Sequence, residues 1–386
     1  MDEGVPVVAS WSVLVDVGTS DGPVPLHALV HEPEVETGAP MLLVHGLASN
    51  AQLWTGVATR LAAAGHRVVA VDQRGHGLSA KVDDGYDFAT LSADLVAVAT
   101  AIGIERPVAV GQSWGGNVVL ELAARHPDHV RGVACVDGGQ IDLSQEFGGD
   151  RDAMLEALTP PRLAGMRMAD LEAGMASRLA DWPAAGLRGQ LANFVRRPDG
   201  TTAPHLTLDR HLRILDHLWD HHPAARFPLV DVPVLLLPVR GGAARAHAVE
   251  SAEAGLATVR THWFEGHHDV HAEQPDLVVE VLRTALDDGF FTANADDRPS
   301  EDGAVRPLSA GHTRRDADDG TLANAGDSPS DDGADRPLSA EHTRRDADDG
   351  TPANADDRPS EDDAVRPLSA GHTRRDADDG THSSPP

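Results

Sequence analysis

Eight short apolar runs fall at residues 12–17, 26–30, 41–44, 68–71, 108–110, 133–136, 234–237 and 259–264. Most are separated by stretches in which apolar residues recur at helical spacing, at 52–64, 91–102, 114–125, 244–255 and 277–286. A continuous run of Val, Leu and Ala has no polar face, so it reads as a strand covered on both sides. Strands alternating with helices then imply a mostly parallel sheet with helices packed on both faces. The first two runs are split by Gly18-Thr19-Ser20-Asp21-Gly22, a turn-rich segment that suits an antiparallel hairpin. The predicted class is α/β, with an eight-stranded, mostly parallel sheet.

The pattern breaks twice. Residues 140–230, between the sixth and seventh runs, offer no convincing strand and read as helices, with Leu208, Leu212, Leu215 and Trp219 on one face. This segment is expected to form a helical cap, dividing the core into residues 1–139 and 231–290. From 291 to 386 the composition changes: Ala293-Asn294-Ala295 recurs as Ala323-Asn324-Ala325 and Ala353-Asn354-Ala355, three copies of a 30-residue repeat. Each copy carries many acidic residues, no aromatic and hardly any large apolar side chain. Such repeats cannot bury a face against one another, so a disordered acidic tail is expected rather than a solenoid.

Charge narrows the partners. With 61 acidic against 32 basic residues and a formal net charge of −29, the chain repels phosphate backbones and anionic bilayers, so neither nucleic acid nor a membrane surface is expected as partner. No basic leader precedes an apolar segment, no run approaches the roughly 18 residues of a membrane span, and Cys135 is the only cysteine. A soluble cytoplasmic protein acting on a small molecule is expected; no motif specifies an oligomeric state.

The chemistry is announced at Gly111-Gln112-Ser113-Trp114-Gly115, directly after the fifth run and directly before a helical pattern. A serine hydroxyl becomes a nucleophile when a sharp strand-to-helix turn holds it clear of its backbone, beside a base and hydrogen-bond donors. The glycines two before and two after let such a turn close. A base is expected after the last strand, where Glu265-Gly266-His267-His268-Asp269-Val270-His271-Ala272-Glu273-Gln274-Pro275 stands. These histidines match no zinc spacing, so neither a metal nor a cofactor is implied.

With His45-Gly46 after the third run, Asp72-Gln73-Arg74-Gly75-His76-Gly77-Leu78-Ser79 after the fourth, the Ser113 turn and a late histidine followed by Glu273-Gln274-Pro275, the chain resembles the α/β-hydrolase superfamily over residues 8–290. The resemblance implies a serine hydrolase working through an acyl-enzyme on Ser113. It selects His268, five residues before Glu273, as the base, with His267 as the fallback. It puts the oxyanion donors at the backbone N–H groups of Leu47 and Trp114, leaving their side chains to line the pocket, and makes Asp72 and Arg74 pins of a turn. The acid departs from the commoner pattern, because the seventh run ends in Pro238-Val239-Arg240-Gly241 without a carboxylate. Some members carry it after the sixth strand instead, which selects Asp137; Asp209, Asp216 and Asp269 are poorer candidates. An ester-like substrate is expected. A carbon–carbon bond hydrolase, a perhydrolase-like enzyme and a ligand-binding homologue with little turnover are the alternatives. Relatives with an aspartate nucleophile, the haloalkane dehalogenases and epoxide hydrolases, do not fit a serine at this turn.

Overall fold

The computed structural model describes residues 8–19, 22–241, 243–292 and 315–316. All eight apolar runs are strands of one sheet: β1 (Ala9–Thr19), β2 (Gly22–Glu32), β3 (Met41–Val44), β4 (Val68–Val71), β5 (Val108–Gln112), β6 (Gly132–Val136), β9 (Val234–Leu237) and β10 (Val259–Thr261). Their order is β10-β9-β6-β5-β3-β4-β2-β1, with β11 (Arg315–Asp316) at the outer edge. From β10 to β4 every pairing is parallel; β4 to β2, β2 to β1 and β1 to β11 are antiparallel.

Residue type explains which strands lie where. Strands β3, β4, β5, β6 and β9 are buried at every position. Their side chains divide by parity, as a two-residue period requires: Leu42, Val44, Val69, Val71 and Ala109 enter one core layer, and Met41, Leu43, Val68, Ala70, Val108 and Val110 the other. Helices α2 (Phe88–Ile102) and α3 (Trp114–Arg125) supply Leu91, Leu95, Val98, Val118 and Leu122 to the first layer. Helices α1 (Thr55–Ala63) and α11 (Pro275–Asp287) supply Val57, Leu61, Val278 and Leu282 to the second. Near the edge, β1 alternates instead, burying Trp11, Val13, Val15 and Val17 while Leu14 stays exposed. Cys135, on β6, is buried, and burial pushes its thiol up to about 12.

Between β6 and β9 the chain forms α4 (Leu143–Glu146), α5 (Arg151–Leu158), α6 (Met168–Arg178), α7 (Ala184–Leu191) and α8 (Leu208–Trp219). Two expectations are corrected here. Strands β7 (Phe194–Arg196) and β8 (Thr202–Pro204) pair antiparallel within this segment; Pro198-Asp199-Gly200, between them, is a turn sequence. Of the expected stripe on α8, Leu215 is buried and Leu212 and Trp219 pack against the first core layer, but Leu208 points to solvent, and His211, Ile214 and Leu218 complete the buried face.

After β9 come α9 (Ala243–Gly255) and, after β10, the short α10 (Val270–Glu273). Phe291 is buried against the second core layer, so the folded region runs to residue 292, slightly past the expected boundary. Apart from Arg315 and Asp316, which pair with Ser12 and Trp11, the repeat tail lies outside the described residues. Among the described residues no helix is long and apolar enough to cross a membrane.

Candidate active site

The carboxyl ends of the parallel strands deliver the site, as in open α/β sheets generally. Ser113 sits between β5 and α3 with φ 53° and ψ −124°, a left-handed conformation that a non-glycine residue adopts only when its surroundings impose it. Its N–H donates to the Val136 carbonyl (2.9 Å) and its carbonyl accepts from Gly116 (2.8 Å), so neighbouring strand and helix clamp the turn. The flanking glycines are obligatory: a Cβ on Gly111 would stand 2.1 Å from the Gly115 carbonyl oxygen, and one on Gly115 2.5 Å from that of His45.

Beyond β6, Asp137 also has positive φ (44°). That turn sends its fully buried carboxylate toward the loop after β10, where Oδ2 accepts from Nδ1 of His268 at 2.5 Å. The same loop is tied to the serine turn, because Gln112 Nε2 donates to the His268 carbonyl (3.2 Å). For the imidazole, burial pushes the pKa down, but the hydrogen bond and charge of Asp137 outweigh it and hold His268 above the ordinary histidine value. A proton shared with Asp137 at Nδ1 leaves Nε2 as the basic nitrogen.

His267 faces elsewhere. Its Nδ1 accepts from the Asp269 N–H (3.1 Å) and its ring meets Trp182 edge-on at 5.4 Å. Asp269 accepts from Gln190 Nε2 (3.0 Å), while Asp216 pairs with Arg151 and Asp209 with Arg213 on the surface. Of the carboxylates weighed from sequence, Asp137 is therefore the one bonded to His268.

The Trp114 N–H opens helix α3 and so has no acceptor within the helix. Its side chain is completely buried among core residues and 5.5 Å from the His76 ring, which corrects the expectation that it lines the pocket. Leu47 is partly exposed, in the loop after β3, between Gly46 and Ala48 (φ 56°). A Cβ on Gly46 would stand 3.1 Å from the Ser113 Cβ, which measures how close that loop approaches the serine.

Two buried histidines hold the loop. Gln73 N–H donates to His45 Nε2 (3.0 Å) and Ala48 N–H to His76 Nε2 (3.2 Å). Burial keeps both imidazoles neutral by lowering their pKa values, and each Nδ1–H then donates to a carbonyl, that of Gly46 or of Arg74. Asp72 accepts from Ala51 and Leu78 N–H groups and from His27 Nδ1, while Arg74 makes a bidentate pair with Asp94 at 2.7 and 2.8 Å.

Sequence reasoning missed Arg245, whose Nη1 reaches both oxygens of Asp137 (2.9 and 2.8 Å). The signal was an arginine in the first turn of the helix that follows the strand end lacking a carboxylate. Also missed were the ties from the β6–β9 segment: Asn50 Nδ2 donates to the Gly189 carbonyl and Asn193 Oδ1, at 2.8 and 2.6 Å.

This architecture is that of an α/β-hydrolase. The family model for the alpha/beta hydrolase fold matches residues 39–228, and the chain belongs to that superfamily. It is 38% identical to Epoxide hydrolase B of Mycobacterium tuberculosis over 148 residues, 36% of this chain and 42% of the relative, so it aligns with under half that enzyme's length. It is 28% identical to Esterase YbfF of Escherichia coli over 258 residues, 65% of this chain and 94% of the esterase. The solved structure of E-2-(acetamidomethylene)succinate hydrolase superposes with a TM-score of 0.58 at 24% identity, over 72% of this chain and 98% of that one. The relatives differ in the reaction their names give, and what they share with this chain is the hydrolase fold.

Proposed function

We propose that the protein is a serine hydrolase that cleaves an ester-like or related carbonyl substrate through an acyl-enzyme on Ser113. The observation that carries this reading is the 2.5 Å contact of His268 Nδ1 with the buried Asp137 carboxylate, beside a serine held at φ 53°. Ser113 Oγ attacks the carbonyl carbon as His268 Nε2 takes its proton, and Asp137 compensates the imidazolium. The backbone N–H groups of Leu47 and Trp114 receive the oxyanion, each such donor contributing about 10²–10³ in rate. Collapse expels the alcohol, protonated by His268; water, deprotonated by His268, then attacks the acyl group, and the acid departs as the Ser113 Oγ–acyl bond breaks and His268 returns the proton to Oγ.

The epoxide hydrolase likeness does not carry an aspartate nucleophile over to this chain, because the turn residue is serine. Residues 140–230 are read as a cap over the bound substrate, supported by the hydrogen bonds of α7 to Asn50 and Asp269. A small carbonyl substrate and a cytoplasmic setting complete the reading.

A fluorophosphonate probe tests it. Stoichiometric labelling of Ser113, abolished in Ser113→Ala, together with repeated turnover of a nitrophenyl ester, is the expected result. Absence of labelling in a folded protein overturns the nucleophile; labelling without turnover points to the ligand-binding alternative.

A further inference from the structure

Resting on that reading, we infer that Arg245 is a positioning residue that shares the Asp137 carboxylate with His268 and thereby sets how basic the catalytic imidazole is. Asp137 Oδ1 accepts from Val239 N–H (3.1 Å) and Arg245 Nη1 (2.9 Å), whereas Oδ2 accepts from Arg245 Nη1 (2.8 Å) and His268 Nδ1 (2.5 Å). One guanidinium nitrogen thus bridges both oxygens, and it also reaches the Val239 carbonyl at 3.3 Å. The carboxylate is wholly buried while the Arg245 side chain is 31% exposed, so the cation extends from the solvent edge to a buried acid. Its stem lies along bare backbone, since a Cβ on Gly241 would meet Arg245 Cδ at 3.1 Å and Nε at 3.2 Å.

The consequence follows from charge. A carboxylate facing only His268 would stabilise the imidazolium with its full field and hold the ring protonated to high pH. A second cation on the same carboxylate offsets part of that field and repels the imidazolium, so the ring releases its proton at a lower pH. The charged and titratable groups whose fields reach His268 are Asp137 after β6, Arg245 on α9, Glu146 on α4, Asp269 beside it in its own loop, and His271 on α10. Arg245 is the cation among them that also touches the acid. The end of the seventh sheet strand, which carries no carboxylate, thus contributes to the triad from the opposite charge: it moderates an acid supplied by the neighbouring strand.

Two readouts test this in the full-length protein. The His268 ring is titrated by NMR, its resonance assigned by its loss in His268→Gln, and the pH midpoint of Ser113 labelling by a fluorophosphonate is measured in parallel. In Arg245→Met and Arg245→Gln both midpoints are expected to rise by about one pH unit, the size of effect one adjacent charge produces. At a pH below both midpoints this is a tenfold loss of free base. Arg245→Lys, which keeps the charge but not the planar fork, is expected to stay near the wild-type midpoint. An unchanged or lowered His268 midpoint in both neutral variants overturns the inference, as does a lysine variant that titrates like them. If the wild type takes no label, the acyl-enzyme reading fails, yet the NMR titration still decides the role of Arg245.

Discussion

The loops after β4 and β6 each bury an aspartate against a histidine, yet the two pairs have different surroundings. Asp72 meets His27 at 2.8 Å, and its remaining acceptor capacity goes to the rigid N–H groups of Ala51 and Leu78. Asp137 meets His268 at 2.5 Å, and its other partners are one backbone N–H and the semi-exposed Arg245. The side chain of His27 is 5% exposed and its Nε2 is buried with no partner among the described residues, so nothing can be passed on from it. His268 is 23% exposed and its loop is tied to the serine turn. An Asp–His contact alone therefore does not mark a catalytic pair. On the reading proposed above, what distinguishes the second pair is that its far ring nitrogen serves the serine.

The largest expected effect breaks the comparison at the serine: Ser113→Ala removes turnover by at least about 10³-fold, with an unchanged melting temperature, as assayed by ester hydrolysis beside thermal unfolding. Asp137→Asn follows, lowering kcat by about 10³–10⁴ with KM nearly constant. If Asp137→Asn hydrolyses at the wild-type rate, the two aspartates are alike after all and the acid lies elsewhere. The mirror substitution, Asp72→Asn, is expected to act on folding. It leaves His27 and the Ala51 and Leu78 N–H donors badly matched and costs about 3 kcal/mol of stability, read from denaturant midpoints, while the folded fraction keeps most of its kcat.

A pH series sharpens the contrast without mutation. His268 lies above the ordinary histidine value, so kcat/KM is expected to fall as pH drops through a midpoint above about 6.5. For Asp72, burial alone would push the carboxyl up, but His27 and the Ala51 N–H hold it well below the usual carboxylate range. A depressed pKa contributes stability that is complete above the unfolded value of about 3.9 and disappears as pH falls toward the folded value. At about pH 6, below the His268 midpoint but above both Asp72 values, kcat/KM should accordingly be reduced while the Asp72 contribution to stability is intact, which rate measurements and the denaturant midpoints of wild type against Asp72→Asn can verify together. The smallest effect expected is from ending the chain after Asp316: kcat/KM should change by less than about twofold, because both aspartate pairs and their supports lie before residue 293.

The strands were legible because buried parallel strands such as Met41–Val44 and Val68–Val71 are uninterrupted apolar runs bounded by turns. Hairpin β7/β8 was not, since three-residue strands are too short to show a period, although Pro198-Asp199-Gly200 was there to be read. The Ser113 turn is a local motif and could be found locally. The choice of His268 over His267 came from spacing to Glu273, and the geometry that separates the two rings is the turn in which His267 accepts from Asp269. Arg245 escaped because its partner is 108 residues away; its place just after a strand end without a carboxylate was visible, but the pairing becomes definite only when the sheet brings the two strand ends together.

Cys135 sits on β6 just before the acid, with its thiol sealed in the core and raised to about 12. A thiol that protonated and that inaccessible is inert to maleimides and iodoacetamides at neutral pH, so the native chain is, for labelling purposes, free of cysteine. Any cysteine introduced at an exposed position such as Leu208 on α8 becomes a unique attachment point, and a fluorophore there can report on α8 without a background to subtract or a native residue to sacrifice.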